Sequence, residues 1–237
     1  MFSKKVFINS SDVDISKTLS IPALFRLFQD VAVEGVEASG LGEKVNTNLN
    51  LIWVFTRMYV KCYRMPKYQE NIIVKTYPGR RLRFIYPRYF EITSLDGKIL
   101  VRASSTWCLL DKDSRQIFFD NDNIYNLEEE HLEGELELPQ KINENQETEL
   151  KETYIVPYTD CDLNRHMNNI AYINRIVNLK DGDFYDKNYI ETLLINYEKE
   201  IKEKSIINIL TSKDGEYIVG EVERNISFKA LIKYANK

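Results

Sequence analysis

The sequence predicts an α+β protein built from two tandem units, each a single helix followed by several antiparallel strands. Three observations predict it. First, the segment at residues 160–175 reappears near the start of the chain at a shift of 148 residues: Asp12, Asp14, Ser16, Thr18 and Ser20 fall on Asp160, Asp162, Asn164, His166 and Asn168. Apolar positions follow suit, with Leu24 and Phe25 on Tyr172 and Ile173. Similarity at so long a spacing argues for duplicated domains rather than a solenoid, although strand-to-helix junctions also share capping residues for ordinary reasons. Second, each copy is followed by the same order of helical and strand-like stretches. Third, both strand sets contain a hairpin signal of one kind, Leu95-Asp-Gly-Lys98 and Ser212-Lys-Asp-Gly215.

Taken in order, residues 4–10 read as a strand. Residues 21–38 read as a helix, with Leu24, Leu27, Phe28, Val31 and Val36 along one side and Gly40 and Gly42 ending it. Aromatic and β-branched content predicts strands at 50–65, 70–77, 82–94, 98–110 and 115–119. The second half repeats the plan with a strand at 153–158, a helix at about 168–179, and strands at 190–202, 204–212, 215–223 and 226–234. Residues 127–152 carry ten acids against two lysines, a local charge of −8 in a chain of net −4, and read as an acidic surface linker. The expected division is therefore a first domain at 1–126, a linker at 127–152 and a second domain at 153–237.

Composition narrows the chemistry. Cys62, Cys108 and Cys161 form no CxxC pair, and two histidines argue against a multi-histidine centre, so no metal is expected. No glycine-rich phosphate loop stands in the chain, and no cofactor is expected. No run approaches the ~20 apolar residues of a membrane span. The start, Met1-Phe-Ser-Lys-Lys5, enters strand-like sequence without an apolar signal core, so a cytoplasmic protein is expected. The acidic linker and the lack of a recognition module oppose nucleic-acid binding.

The chemistry is concentrated at residues 160–175. Asp162, Asn164 and His166 recur at a spacing of two, which on an extended segment projects a carboxylate, an amide and an imidazole to one side. A helix capped by Asn168 or Asn169 follows, so these groups would converge beside backbone N–H donors, an arrangement suited to hydrolysis.

Four stretches, in the same order along nearly the whole chain, resemble the acyl-acyl carrier protein thioesterases. They are Asn50-Leu-Ile-Trp-Val-Phe-Thr-Arg-Met58, Arg102-Ala-Ser-Ser-Thr-Trp107, Asp162-Leu-Asn-Arg-His-Met-Asn-Asn-Ile-Ala-Tyr-Ile173 and Tyr197-Glu-Lys-Glu-Ile201, the last resembling the family's Tyr-Arg-Arg-Glu-Cys. The resemblance implies two tandem hot-dog domains, each a helix wrapped by an antiparallel sheet. It implies release of free fatty acid from acylated carrier protein, which ends fatty acid synthesis. Acyl-CoA hydrolysis and non-catalytic acyl binding on the same fold are the alternatives. Lacking a transit peptide and an anchor segment, the chain resembles a bacterial rather than a plant plastid member.

Residue by residue, the resemblance implies an active site of Asp162, Asn164, His166 and Glu200. Glu198 shares an expected strand face with Glu200, and only the resemblance prefers the latter. Glu200 is then a general base toward water, held by His166 and Asn164, while N–H groups at the helix start receive the thioester oxygen. Asp162 orients the junction; a rival arrangement makes it base or nucleophile. Where many plant members have cysteine, this chain has Ile201, which removes a Cys–His mechanism at that position. By the repeat, Cys62 falls near the position of Glu200.

The first domain supplies the expected acyl pocket: Leu24, Phe28, Trp53, Phe55, Met58 and Trp107, with Arg57 and Met58 resembling positions near the family's pocket. Core packing is the ordinary reading of most of these. Carrier proteins are strongly acidic, and residues 57–88 hold nine Lys/Arg against Glu70 alone, so Arg80, Arg81, Arg83 and Arg88 are the expected docking contacts. A solvated strand face reads equally well. The expected assembly is a monomer or a homodimer; acyl-chain length lies outside the sequence.

Overall fold

The computed structural model describes residues 1–127, 129–143 and 146–237; Glu128, Glu144 and Asn145 of the expected linker lie outside the described residues. In the first half, β1 (Phe2–Phe7) precedes the helix α1 (Ile21–Ala38) and a short α2 (Glu43–Asn48). Strands β2 (Leu51–Cys62), β3 (Asn71–Pro78), β4 (Tyr86–Ser94) and β5 (Ile99–Asp111) complete it. The second half repeats the series as β6 (Glu149–Ile155), α3 (Asn169–Val177), α4 (Gly182–Lys187), β7 (Asn188–Tyr197), β8 (Ile206–Thr211), β9 (Tyr217–Val222) and β10 (Asn225–Asn236).

The ten strands form one antiparallel sheet in the order β1-β3-β4-β5-β2-β7-β10-β9-β8-β6. Exchanging each strand for its counterpart in the other half reproduces the order from the opposite end. The halves join at β2 and β7, from Arg57 opposite Asn196 to Lys61 opposite Thr192. Helices α1 and α3 contact each other on one face of this sheet. Leu24, Phe25, Phe28 and Val31 of α1 and Tyr172, Ile173 and Ile176 of α3 share one core with Met58, Phe90, Ile195 and Phe228 of the strands. Full burial of each such side chain stabilises the fold by roughly 1.5–3 kcal/mol. This is the tandem, helix-on-sheet plan expected from the repeat.

Helix α1 takes its expected bounds because both ends are marked: the Ser20 hydroxyl accepts from the Ala23 N–H at 3.3 Å, and Gly40 takes φ 78° just beyond the end. Other bounds move. The expected strand at 115–119 is absent, since the Asp111 carboxylate captures the Ser114 N–H at 2.7 Å and leaves Ile117 a single bridge to Leu110. β4 starts at Tyr86 rather than 82, because Leu82 and Ile85 close a turn on each other with Arg83 at φ 59°. β6 starts at Glu149, inside the expected linker; as a charged edge strand it lacks the apolar alternation that would reveal it. Helices α2 and α4, six residues each, are too short to show a period.

The acidic segment is fastened along the outer face of the sheet rather than hanging free. Arg102 donates to the Glu133 carbonyl at 2.8 Å, and the Ser104 hydroxyl donates to the Glu137 carbonyl at 2.6 Å. Asn196, at the joint between halves, accepts from the Ile142 N–H at 2.8 Å and donates to the Gln140 carbonyl at 3.2 Å. His131 is solvent-exposed, with Glu135 at 3.0 Å.

Candidate active site

Both junctions of the repeat fold as the same turn. The Asp162 N–H donates to the His166 carbonyl at 2.8 Å, the Arg165 N–H to the Asp162 carbonyl at 3.0 Å and the Asn168 N–H to the Asp160 carbonyl at 2.8 Å. In the first half Asp14, Lys17 and Ser20 donate to Thr18, Asp14 and Asp12 in the same way, at 3.0, 3.0 and 2.9 Å. Arg165 and Lys17 sit in the left-handed region at φ 62° and 57°. The expected extended segment is therefore not formed. Alternation at a spacing of two fits a strand, but here the aspartate closes a turn instead. Its Oδ1 accepts from the Asn164 N–H at 2.8 Å and from the His166 N–H at 3.3 Å.

Each turn docks on the segment that follows the central strand of its own half. The Met167 N–H donates to the Ile201 carbonyl at 2.7 Å, and the Leu19 N–H to the Pro66 carbonyl at 2.8 Å. Glu200 therefore aligns with Met65, not with Cys62, a correction to the expected pairing. Glu200 also lies beyond the end of β7, so the expected strand face shared with Glu198 does not exist. Glu200 Oε2 is 3.5 Å from His166 Nε2. The carboxylate favours the proton on that nitrogen, and among the described residues the buried Nδ1 has no hydrogen-bond partner. Asn168 caps α3, its Oδ1 accepting from the Ile170 N–H at 2.9 Å, as expected for that residue.

The other oxygen of Glu200 is held by Arg115. This residue carries no sequence signal: it stands in the turn after β5, 85 residues away, and is brought to Glu200 only by the joining of the two halves. Arg115→Ala is expected to lower kcat roughly three- to tenfold with KM little changed, and Arg115→Lys to recover part of it; steady-state kinetics checks this. Equal loss in kcat for both variants with KM raised instead would make Arg115 a substrate contact.

A cavity of about 780 Å³ opens beside the Asp162 turn, within the usual size of ligand sites. The first half supplies nearly all of its wall, from α1, α2 and the starts of β2 and β4; Leu163 and Asn164 enter from the second half. Trp53 and Trp107 line it. Tyr86 and Tyr125, which the sequence reading missed, meet Trp53 edge-on at 4.9 and 5.3 Å. Phe55 stacks on Trp107 at 4.6 Å, beside a small void reaching Asn169 and Ile170 of α3. Leu24 does not line the cavity but lies in the core, fully buried. Phe28 and Met58 are core residues as well, bordering only the small void. Arg57 faces away: it lies opposite Asn196, whose side chain meets the segment crossing the outer face.

The four expected docking arginines separate. Arg80 and Arg83 are exposed. Arg81 is committed to its own fold, bonding Asp120 at 2.8 Å and Asn123 at 2.7 Å. Arg88 is only 7% exposed and points to the core side of β4, so it cannot meet a protein partner. Sequence placed it in a basic run without showing which face of the strand it takes. Burial pushes the Cys62 thiol up to about 12, and Cys161 is raised as well, so neither is an activated nucleophile. Among the described residues no group of histidine, cysteine and carboxylate side chains is arranged to hold a metal, and no helix is long and apolar enough to cross a membrane.

Comparison with known proteins adds to this geometry. The acyl-ACP thioesterase N-terminal domain matches residues 1–127 and the acyl-ACP thioesterase C-terminal domain matches residues 143–236. Oleoyl-acyl carrier protein thioesterase 2 of Arabidopsis thaliana is 24% identical over 234 residues, covering 90% of this chain and 63% of the relative. The palmitoyl enzyme of Cuphea hookeriana is 24% identical over 229 residues, covering 90% and 55%. The chain thus spans less than two thirds of the length of these plant relatives. An acyl-ACP thioesterase from Bacteroides thetaiotaomicron superposes with a TM-score of 0.90 at 20% identity, covering 99% of this chain and 97% of its own. The 12:0-ACP thioesterase of Umbellularia californica gives 0.85 at 19% identity, covering 100% and 97%. The shared fold is the double hot-dog that the sequence implied, and with both domain families matched in order, the chain belongs to the acyl-ACP thioesterase family.

Proposed function

We propose that this protein hydrolyses the thioester of acylated carrier protein and releases the free fatty acid. The observation that carries the reading is the meeting of Glu200, His166 and the Asp162 turn, which reaches through Leu163 and Asn164 into a cavity walled by the other half. The acyl chain enters the cavity past Leu163 and Asn164. Glu200 takes the proton from the attacking water, oriented by His166 on one oxygen and Arg115 on the other. Asp162 acts through the backbone: its carboxylate fixes the turn that carries Asn164 and His166. Its Oδ1 is engaged by the Asn164 and His166 N–H groups, which gives it this positioning role. The capped start of α3 supplies the dipole toward the carbonyl oxygen as charge develops there. A single turnover in oxygen-18 water tests this: label is expected in the fatty acid alone, and label in Asp162 or Glu200 would replace the direct-water scheme with an anhydride.

The substrate carrier is acyl carrier protein. Arg80 at the cavity wall and Arg83 three residues on are exposed cations that fit an acidic partner. KM for acyl carrier protein is expected to rise with salt, whereas KM for a small thioester stays flat. Matched acyl-ACP and acyl-CoA substrates test the assignment directly. Faster turnover of acyl-ACP is expected; equal or faster turnover of CoA would overturn the carrier, and inactivity on both would leave an acyl-binding protein.

A further inference from the structure

Arg88 is the least explained charged group in the molecule. It stands on the inner face of β4, between Tyr86 and Phe90, and lines the cavity. Its one described hydrogen bond is Nη1 to the Thr76 hydroxyl at 3.2 Å. Glu91, the next charged residue along the strand, faces the other side and is held by Lys75 and Arg102. The Ser105 hydroxyl, opposite in register, is engaged by the Arg88 carbonyl and by Trp107 Nε1. On the helix side the neighbour is Gly35, where an added Cβ would come within 3.5 Å of Nη1. Burial alone, with no carboxylate opposing it, lowers the guanidinium to about 10. Trp53 lines the same cavity, and its Nε1, itself buried, is without a partner among the described residues.

A guanidinium carries five donors, and a buried cation without a counter-charge is costly. Water filling a cavity can meet such donors, but a plain hydrocarbon tail displaces that water and returns nothing. A tail that carries an oxygen restores the hydrogen bonds, and does so with charge assistance. We propose that the cavity selects acyl chains bearing an oxygen substituent beyond the thioester, whether hydroxyl, oxo or carboxylate, and that Arg88 is the residue that reads it. This rests on the thioesterase reading of the site, and narrows it to a substrate class.

The test compares 12-carbon acyl-ACP substrates, one unsubstituted and the others oxygenated near the thioester, at mid-chain and at the end. At one or more positions the oxygenated chain is expected to exceed the plain chain in kcat/KM by about tenfold or more. In Arg88→Met that ratio is expected to fall toward one, with the melting temperature unchanged or higher because an unpaired buried charge is removed. No preference for any oxygenated chain, or an unchanged ratio in the variant, overturns the proposal. Binding of the methyl esters of the same acids, followed by tryptophan fluorescence, separates the two readings. Their blocked carboxyl removes a competing anion, and binding needs no catalysis. Tighter binding of an oxygenated ester upholds the role of Arg88 even if no thioester is hydrolysed, and equal binding sinks it even in an active enzyme. Should Arg88→Met fail to fold, Arg88→Lys, which keeps the charge but not the forked donors, is expected to reduce the ratio partway.

Discussion

Replacing Glu200 by glutamine is expected to lower kcat on acyl-ACP by about 10²–10⁴-fold, the usual contribution of a general base, with KM little changed. Glutamine keeps the shape and both neighbours: its amide oxygen can still accept from Arg115 or His166, so the substitution removes the proton-accepting charge and little else. His166→Ala should fall to a similar level. The double variant should fall little further, because residues that act as a unit are not additive. The measurement is steady-state hydrolysis of purified acyl-ACP, with circular dichroism to confirm folding. A Glu200→Gln protein that retained kcat and lost only affinity would reduce the carboxylate to a binding group and return the chemistry to Asp162.

The second large effect is on stability. Leu24→Ala is expected to destabilise the protein by about 2–5 kcal/mol, because the side chain is fully buried and α1 is held on both its sheet and α3 faces. For a chain of this size, this lowers the melting temperature by roughly 5–15 °C. The acyl-chain preference of the surviving protein should not move, since Leu24 does not line the large cavity. A variant with normal stability and an altered chain-length profile would return Leu24 to the substrate pocket. Trp53 gives the opposite pattern, since it lines the cavity and is only partly buried.

The fold was legible because it is written twice. Ser20 and Asn168 cap equivalent helices, and Lys17 and Arg165 turn equivalent corners, so each half corroborates the other. What the sequence hides is direction. A basic run shows that Arg80, Arg83 and Arg88 are charged; only the pairing of β4 with β3 and β5 turns Arg88 inward. The same limit explains the aspartate turn. The spacing of Asp162, Asn164 and His166 suits a strand, and nothing in the spacing reports that the carboxylate will be spent on backbone N–H groups. Arg115 was hidden for a third reason. Its partner is on the other half of the chain, and contacts between halves leave no periodic trace in either.

The mirrored strand order has a consequence for how such a molecule diversifies. The turn of the second half closes on the cavity of the first, while the first half's turn, with Ser16 and Thr18 in place of amide and imidazole, leans on α4 through Ile15, whose Cδ1 approaches the Gly182 position. There the space is taken by Phe184, Tyr185 and Tyr234. On the proposed function, one copy lacks the reactive groups and the other the hollow, so neither half is self-sufficient and each is released from the other's constraint. Residues of the receiving half are free to drift toward new chain shapes without disturbing proton transfer. The reactive half can hold its geometry still while they do.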